Sequence, residues 1–573
     1  MAENYLRKVV EGRGSKMTGA RFIAETLKGY GVTHVFFVEA ILRKTLVEME
    51  VLGIKRILAH TEKAAAYMAD GYARVSGRAG ICMAQSVGAA NLASGLQDPY
   101  LGLSPVIAFT GRKPLLAQHR NAYQEIIHRP LFESVTKYNV DVDTTDQVPY
   151  YLRQAFREAT SGSPGPVHLD FGGGYAGAGV EEGEGSFDLV VEEPFTHYPP
   201  MRPEPDAEAV QDAVRLLEQA ERPVIVAGGG ARTSGAGAEI VELAEMLSIP
   251  VATSLNGKEI ILDHHPLSVG VVGTYSRWCA NRVVSEADLV LFVGSHTGDQ
   301  VTNEWTIPKV GTPVIQIDID LSELGRSYPN TVPLLGDAKV TVRKMKESVK
   351  GRISRKSWTE RARQLVGEWR KEAEPLLHSN AVPIRPERLC KEITDTLPAD
   401  GILVSDTGYA GIWTGAMIDL TDPKQSYIRA AGSLGWGFPA AMGAKCAAPD
   451  RPVICFIGDG GFFYHLGELE TASRCGINVI TVVNNNHCLR QCVEGINKAY
   501  GDRPGNRDEQ CKFQDVHFAK VAQEMGCMGI RVTKPDEIAD AIRKALASHR
   551  PAVVDVITDP AVKAPNPWTP PGK

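Results

Sequence analysis

The chain has 573 residues and a formal net charge of −6, and its basic residues form no dense stripe, so a nucleic-acid-binding function is not expected. Hydrophobic residues make up 43% of the sequence, which argues against disorder, and no run of about 18 apolar residues predicts a transmembrane helix. The ten cysteines are too sparse for a disulfide scaffold, so we expect a cytoplasmic protein of enzyme size. Glycine is in excess, with 56 residues, and this indicates tight turns or backbone that approaches a ligand closely.

The first part of the chain predicts a helix followed by buried strands. Apolar residues recur at helical spacing from near Thr18, and Gly31 follows as a helix stop. Short β-branched and aromatic runs then predict strands at 34–38, 81–85, 104–109 and 164–171. A glycine-rich stretch over 172–185 and a proline-rich stretch up to Pro205 are typical of a linker.

The rest of the chain repeats this alternation twice. The second part begins with a strand that runs into a glycine turn over 222–231, followed by a helix over 235–247. Its further strands are predicted at 249–254, 287–295 and 313–320. A charged helical segment over 340–375 leads to the third part, where strands are predicted at 401–408, 451–461, 478–486 and 551–559.

Strands that alternate with helices predict parallel sheets built from βαβ units. The predicted fold class is therefore α/β, with three doubly wound parallel-sheet domains over 17–185, 205–345 and 375–562. A single large open sheet is the alternative, and the two intervening segments argue against it.

One predicted strand ends in Gly458-Asp459-Gly460-Gly461. Parallel strands bring ligands to their carboxyl ends, and glycines there let backbone N–H groups approach an anion. A carboxylate would repel a phosphate unless a hard cation lies between them, and Mg²⁺ is the natural choice. By itself a GDG sequence is more often only a turn.

The next predicted strand ends in Asn484-Asn485-Asn486. An asparagine carbonyl oxygen is a second hard ligand, and neighbouring strand ends can bring it close to Asp459. The three consecutive asparagines leave a one-residue ambiguity. Asn486, the last of the three, lies 27 positions after Asp459.

The segment from Gly458 to Asn486 resembles the signature of thiamine diphosphate-dependent enzymes, in which GDG is followed by NN after a helix and a strand. The resemblance extends over about residues 17 to 560, and segments such as GVTHVFF, PVIAFTG and ADLVLFVGS match the order of the acetolactate synthase-like (acetohydroxyacid synthase and 2-oxoacid decarboxylase) family. It implies a pyrimidine-binding, a central and a diphosphate-binding domain. It also implies that Mg²⁺ is held by the side chains of Asp459 and Asn486 and by the backbone carbonyl of Cys488.

Glu62 matches the family's glutamate, in the segment HTEKAAAYMADGYARVSG. The resemblance implies a carboxyl group that is hydrogen-bonded to the cofactor's pyrimidine ring, where it favours the tautomer that removes the weakly acidic thiazolium proton. Without that match, a single glutamate on a helix is more often a solvated partner in an ion pair.

Two glycine-containing loops also match the family. GSLGWGFPAAMGA resembles the loop that supports the cofactor, which implies roles for Gly432, Ser433 and Leu434. SDTGYAG resembles the second loop beside the diphosphate, which implies that Gly408 and Tyr409 lie near the phosphates. Acetolactate synthases carry Gln-His where this chain has Tyr-Ala, so the phosphate contacts of Tyr409 are open. Gly458, Gly460 and Gly461 complete the implied cofactor-binding set.

The substrate side departs from the family. Gln124 matches the glutamine of an FQE motif and is expected to reach the reacting carbon. Gln491 stands where relatives contact the intermediate, so it indicates either a polar substrate or a helix-surface residue. Glu39 replaces a proline and is either a new acid/base group or a surface residue. Ile41 is apolar where decarboxylases often carry a polar group, so no proton donor is evident there.

The central part lacks the flavin pattern of acetolactate synthases. Gln300 stands where an arginine is expected, so the binding of FAD is open. The GGGA turn over 228–231 is either a nucleotide site or only a helix entry, and a glycine motif of this kind by itself favours the helix entry.

The predicted function is a thiamine diphosphate- and Mg²⁺-dependent carboligase, which decarboxylates a 2-oxo acid and joins the carbanion to a carbonyl acceptor. The alternatives are a 2-hydroxyacyl-CoA lyase-like or diketone-cleaving enzyme, a simple 2-oxoacid decarboxylase, or a noncatalytic homologue that holds the cofactor. The resemblance further implies a homodimer or homotetramer with the active site between subunits.

Overall fold

The computed structural model describes residues 15–173 and 179–571. Within these ranges the chain forms three six-stranded parallel sheets and one two-stranded antiparallel ribbon. Within the same ranges, no helix has both the length and the apolar composition needed to cross a membrane. The predicted α/β class with three parallel-sheet domains is confirmed.

The N-terminal domain contains the ribbon and the first parallel sheet. Its strands are β1 (Ser15–Thr18), β2 (His34–Phe37), β3 (Lys55–Leu58), β4 (Gly80–Gln85), β5 (Val106–Arg112), β6 (Tyr138–Val142), β7 (Val167–Gly172) and β8 (Glu184–Phe187). Its α-helices span Gly19–Gly29, Arg43–Val51, Glu62–Ser76, Gly88–Leu101, Arg129–Glu133 and Val148–Thr160. The parallel sheet has the order β3-β2-β4-β5-β7-β6, and β1 pairs with β8 in the ribbon.

The central domain contains the second sheet. Its strands are β9 (Pro223–Ala227), β10 (Val251–Thr253), β11 (Ser268–Val271), β12 (Leu289–Val293), β13 (Val314–Asp318) and β14 (Val332–Leu335). Its helices span Ala207–Gln219, Gly229–Ser234, Gly237–Leu247, Trp278–Glu286, Asp299–Thr302 and Ala338–Ser348, and the helix Lys356–Leu377 leads onward. The order β11-β10-β9-β12-β13-β14 is the strand order of dinucleotide-binding folds.

The C-terminal domain repeats the connectivity of the N-terminal domain. Its strands are β15 (Ile402–Ser405), β16 (Ser426–Arg429), β17 (Val453–Gly458), β18 (Val479–Asn485), β19 (Met528–Val532) and β20 (Ala552–Ile557). Its helices span Pro386–Thr396, Tyr409–Met417, Gly437–Ala447, Asp459–Phe462, Glu468–Cys475, Val493–Tyr500, Phe518–Glu524 and Ile538–Ala547. The sheet order is β16-β15-β17-β18-β20-β19, so both outer domains place the second strand before the first and the sixth before the fifth.

The predicted strands are interior strands of the three sheets, and the short edge strands were not predicted. The edge strand β3 has the sequence KRIL, in which only Ile57 is buried, so it lacks the apolar run that identified its neighbours. β6 is likewise only partly buried along most of its length. Strand pairing, rather than sequence pattern, determines these edge elements.

The prediction of a linker over 172–185 is wrong for the described residues 179–185. Val180 is buried in the N-terminal core, and β8 pairs with β1 in register from Glu184. Glu181 accepts hydrogen bonds from the backbone and the hydroxyl of Thr45 at 3.1 and 3.0 Å. Of the other predicted linker positions, Gly172 is the last residue of β7, and 174–178 lie outside the described residues.

The N-terminal and C-terminal domains meet where the helices Glu62–Ser76 and Gly437–Ala447 cross. A Cβ atom on Gly71 would lie 2.0 Å from the carbonyl oxygen of Ala440, and one on Gly443 would lie 1.8 Å from that of Met68. The two helices therefore touch backbone to backbone, which only glycine allows at these positions.

The central domain is joined to the C-terminal domain by buried charges. Asp263 forms ion pairs with Arg277 at 2.9 Å and Lys258 at 3.2 Å, and it accepts the backbone N–H of Leu420 at 2.7 Å. Arg277 also pairs with Asp419. Because each buried charge has an opposite partner, the cost of its desolvation is offset.

We predict that Gly443→Ala destabilises the protein by about 3 kcal/mol, because the added methyl group would force the crossing helices apart. Gly367→Ala is the matched control, since Gly367 also lies within a helix but its Cβ position meets nothing within 4 Å. The control should stabilise the helix by about 0.5–1 kcal/mol. Urea unfolding of both variants tests this, and equal stability of the two would contradict the packing argument.

Candidate active site

The C-terminal sheet has a topological switch point between β15 and β17. From β15 the chain crosses to β16 on one side of the sheet, and it then returns to β17 on the other. Each of the two adjacent strands runs into a glycine that begins a helix, Gly408 after β15 and Gly458 at the end of β17. Ligands of open α/β sheets bind in the crevice at such a point. The GDGG segment therefore lies at the sheet position where a ligand is expected.

Gly408 needs to be glycine for a conformational reason. Its φ of 67° and ψ of −141° form a combination that L side chains avoid. The helix Tyr409–Met417 follows directly, and its first N–H groups have no partners within the helix, so they favour an anion at this edge.

Asp459 and Asn486 are brought together, as their spacing predicts. The backbone N–H of Cys488 donates to Asp459 Oδ2 and to Asn486 Oδ1, at 3.1 Å each, so both side-chain oxygens converge on one point. All three residues are buried. The carbonyl of Cys488 accepts the N–H of Arg490 at 2.8 Å, and its second lone pair leaves it able to bind a cation.

The environment of Asp459 fits a hard cation. Asp459 is 3% exposed, and its carboxylate has no ion-pair partner in the described part of the chain. Burial raises the pKa of Asp459 to about 6. Hydrogen bonds from backbone N–H groups favour the charged form and therefore oppose this rise. A buried carboxylate beside an amide oxygen is a donor set that Mg²⁺ prefers.

The three asparagines have different partners. Asn484 accepts from the hydroxyl of Thr558 at 2.6 Å, and Asn485 donates to Asp555 at 2.8 Å. Both contacts hold β18 to the chain around β20. Asn486 is the member of the run whose side chain shares a donor with Asp459.

The glycines of the segment serve two different purposes. A Cβ atom on Gly460 would lie 2.5 Å from Leu489 Cδ2, and one on Gly461 would lie 2.2 Å from Asp406 Oδ2. These two glycines allow close packing inside the protein. Positions Gly458 and Gly432, in contrast, have nothing within 4 Å of a Cβ atom, so open space adjoins their backbone.

The loop of residues 431–437, called the supporting loop here, is firmly held. Ser433 is buried and Leu434 is partly buried, whereas Gly432 is exposed. The N–H groups of Gly435 and Gly437 donate to Asp406 at 3.0 and 3.2 Å. Burial raises the pKa of the Asp406 carboxyl to about 7.

Glu62 begins the helix Glu62–Ser76, whose first turn is capped by the Thr61 hydroxyl through the N–H of Ala64 at 3.1 Å. Its carboxylate accepts from Asn91 Nδ2 at 3.2 Å and lies against Gly88, where a Cβ atom would approach Glu62 Oε1 to 2.4 Å. These contacts belong to the N-terminal domain, beside the end of β4.

The surroundings of Glu62 in the N-terminal domain, and those of Asp459, Asn486 and the supporting loop in the C-terminal domain, are called the two half-sites. Gln124 lies on a loop of the N-terminal domain, and Gln491 lies in the short 3₁₀ helix Arg490–Cys492 of the C-terminal domain. Gln124 has a φ of 61°, its carbonyl accepts the hydroxyl of Ser86, and its buried Oε1 atom has no hydrogen-bond partner among the described residues. Gln491 is exposed, and its Oε1 atom lies 2.9 Å from the Cβ position of Gly408. Gln491 thus lies at the rim of the C-terminal crevice.

Glu39 is exposed rather than buried. It pairs with Arg43 at 2.5 Å, and this guanidinium lowers the pKa of Glu39. Its position favours the surface interpretation. Ile41 is fully buried in the N-terminal core.

A cavity of about 660 Å³ adjoins the central sheet, where its strand order reverses between β9 and β12. Residues 229–230 and 294–298 line it, and a Cβ atom on the preceding Gly228 would lie 2.2 Å from the carbonyl oxygen of Gly294. The guanidinium of Arg429, from the C-terminal domain, donates to Gln300 and keeps its buried Nη1 atom without a partner among the described residues. Sequence reasoning missed Arg429, because it lies 129 positions from Gln300 in the chain.

Three family profiles match the chain. The thiamine pyrophosphate enzyme N-terminal TPP binding domain matches residues 17–131, the central domain matches 210–345, and the C-terminal TPP binding domain matches 406–556. The matched ranges lie within the three parallel-sheet domains.

Curated relatives are similar over nearly the whole chain. The chain is 34% identical to a probable acetolactate synthase large subunit of Methanocaldococcus jannaschii, over 97% of this chain and 94% of that protein. It is 32% identical to a probable acetolactate synthase large subunit of Methanococcus aeolicus, over 88% and 86%. An acetolactate synthase large subunit of Lactococcus lactis is 29% identical, over 94% and 92%. The chain therefore belongs to the thiamine diphosphate-dependent enzymes of the acetolactate synthase-like family.

Proposed function

We propose that this enzyme binds thiamine diphosphate together with Mg²⁺, decarboxylates a 2-oxo acid and joins the resulting carbanion to a carbonyl acceptor. The observation that carries the proposal is the convergence of Asp459 and Asn486 on one buried point at the switch point of the C-terminal sheet. The names of the relatives support the carboligase reaction.

The chain's own residues have separate roles in this proposal. Asp459, Asn486 and the Cys488 carbonyl would hold Mg²⁺, and the backbone at Gly408, Tyr409 and Gly458 would hold the diphosphate. The supporting loop would contact the pyrimidine through Gly432, Ser433 and Leu434. When bound, thiamine diphosphate supplies an electron sink for the carbanion. Glu62 would hold a proton at the pyrimidine nitrogen, from a helix start that keeps its carboxyl in place.

The substrate pocket would be polar. The unpartnered Oε1 atom of Gln124 and the amide of Gln491 at the crevice rim both support a polar or hydroxylated substrate or acceptor. The same amides would also suit a 2-hydroxyacyl thioester, so a 2-hydroxyacyl-CoA lyase-like or diketone-cleaving enzyme is the second candidate, and simple 2-oxoacid decarboxylation is the third.

We propose that the enzyme acts as a homodimer or homotetramer in the cytoplasm. Exposed apolar side chains surround the Gln124 loop: Leu115, Leu116, Tyr123 and Ile127. An apolar patch beside an incomplete half-site supports coverage by a second copy. All ten cysteines are free, which supports a reducing compartment.

Product analysis tests the reaction. With thiamine diphosphate, Mg²⁺ and a panel of 2-oxo acids, we expect NMR to detect a new C–C bond when a ketone or aldehyde acceptor is present. Removal of Mg²⁺ by EDTA should lower the affinity for thiamine diphosphate at least about tenfold, because the cation that joins the carboxylate to the diphosphate is lost. Asp459→Asn should have a similar effect, because the cation then loses its charged ligand.

The same assay separates the alternatives. Rapid release of carbon dioxide without any acceptor would favour a simple decarboxylase, and a CoA thioester turned over best would favour a lyase. If neither chemistry occurs and thiamine diphosphate does not bind to the wild-type protein, the proposal fails.

A double-mutant cycle tests the role of Glu62. Gly88→Ala should fold normally, since the added methyl group meets mainly the movable end of the Glu62 side chain, and it should displace that carboxyl. We expect Gly88→Ala and Glu62→Gln each to lower kcat at least about 100-fold. The two together should lower it little further, because both remove the same interaction. Additive losses would mean that Gly88 does not act through Glu62.

We also propose that the central cavity binds a flavin or another nucleotide, with Arg429 taking the place of the arginine that is missing at position 300. The volume of the central cavity lies within the usual range of ligand pockets, about 300–1,000 Å³. The buried, unpartnered Arg429 Nη1 and Thr297 Oγ1 atoms are suited to polar groups of such a ligand.

Absorbance spectroscopy tests this second site. Protein purified after expression with riboflavin should show a flavin spectrum, and Arg429→Met should lose it while keeping its fold by circular dichroism. Absence of flavin, of other bound nucleotides after denaturation, and of binding to added FAD or ADP would contradict the proposal.

A further inference from the structure

The supporting loop, residues 431–437, is anchored by a residue from another domain. Asp98 belongs to the helix Gly88–Leu101 of the N-terminal domain, and its side chain is fully buried. Its carboxylate accepts three consecutive backbone N–H groups of the loop, from Ala431 at 2.9 Å, Gly432 at 3.2 Å and Ser433 at 3.0 Å. Hydrogen bonds to a charged acceptor are about twice as strong as neutral ones, so this contact defines the path of the loop.

A buried arginine completes the anchor. Arg74 pairs with Asp98 at 3.0 Å and makes a two-pronged contact with Asp70 at 2.7 and 2.6 Å. The same guanidinium donates to the carbonyl of Arg429 at 2.6 Å, just ahead of the loop. The single positive charge of Arg74 is therefore shared by two buried carboxylates, Asp70 and Asp98, and the strand end that leads into the loop is fixed by the same group.

The loop is held from one side and open on the other. Asp406 accepts the N–H groups of Gly435 and Gly437, so both halves of the loop rest on buried carboxylates. A Cβ atom at Gly432 would meet nothing within 4 Å. The anchors thus lie behind the backbone, and the free face of the loop remains available to a ligand.

The half-site around Glu62 is held in a corresponding way, but here the carboxylate comes from the C-terminal domain and the backbone from the N-terminal domain. Glu468, in the C-terminal domain, accepts the backbone N–H groups of His60 at 3.0 Å and Thr61 at 3.2 Å, immediately before Glu62. Asp98 and Glu468 lie on helices that follow the third strand of their respective parallel sheets. Each outer domain therefore supplies one carboxylate that holds the functional segment of the other.

We propose that Asp98 is a positioning residue for thiamine diphosphate, which holds the supporting loop so that Gly432 and Leu434 meet the pyrimidine ring. This inference rests on the proposed function. Asp98 itself would not touch the cofactor, since its two oxygens are occupied by the loop N–H groups and by Arg74.

Asp98→Asn is the direct test, because it keeps the size of the side chain and removes the charged acceptor. We expect the Kd of thiamine diphosphate, measured by titration calorimetry with Mg²⁺ present, to rise at least about tenfold. Urea unfolding of the full-length protein is measured in parallel.

Asp263→Asn is the matched control. Asp263 is also a buried carboxylate that crosses a domain boundary and accepts a backbone N–H, that of Leu420, but it does not contact the supporting loop. We expect the control to lose at least as much stability and to bind thiamine diphosphate with an unchanged Kd. If both variants bind the cofactor like the wild type, or if both lose affinity equally, Asp98 has no specific positioning role. If the wild-type protein itself does not bind the cofactor, the proposed function fails instead.

Hydrogen exchange covers the case in which Asp98→Asn does not fold. In the wild-type protein, the amides of Ala431, Gly432 and Ser433 should exchange at least about 100-fold more slowly than that of Gly505, in an exposed loop. Protection of this size supports the anchor, whereas exchange as fast as that of Gly505 would overturn it.

Discussion

The backbone contact between two helices is the constraint on which the rest of the molecule depends. Gly71 and Gly443 let the helices Glu62–Ser76 and Gly437–Ala447 approach until side chains no longer separate them. Glu62 begins the first helix, and the supporting loop leads into the second. Because the crossing fixes both helices, it also fixes the position of both functional segments relative to the two parallel sheets. A small shift at the crossing would therefore move both half-sites.

Close approach of the domains creates a second requirement, which concerns polar groups. Backbone N–H groups in a segment that precedes a helix have no partner within that helix, and leaving such groups without an acceptor at a domain boundary is costly. At this boundary the acceptors come from the opposite domain, as Asp98 and Glu468. The interactions that satisfy these backbone N–H groups are thus the same ones that hold the functional loops. Stability and the geometry of the site cannot be varied independently here.

The glycine excess acquires two distinct explanations in the structure. Gly408, Gly432 and Gly458 stand where backbone conformation or open space favours a ligand, as the motif indicates. Gly460 and Gly461 are glycine because their neighbours leave no room for a side chain. A sequence motif by itself cannot distinguish a glycine that faces a ligand from one that is closely packed, since both positions are occupied by glycine.

The sequence by itself determined the fold class and the neighbourhood of the site. Apolar runs identified the interior strands, and parallel strands bring their carboxyl ends to one edge, so Asp459 and Asn486 could be paired from spacing. Only the tertiary structure decided the contacts of Asp98 and Arg429, the ribbon over 184–187 and the short edge strands. The physical reason is range: local patterns report burial and turn chemistry within a few residues. A carboxylate that bonds to backbone more than 300 positions away leaves no periodic trace in the sequence.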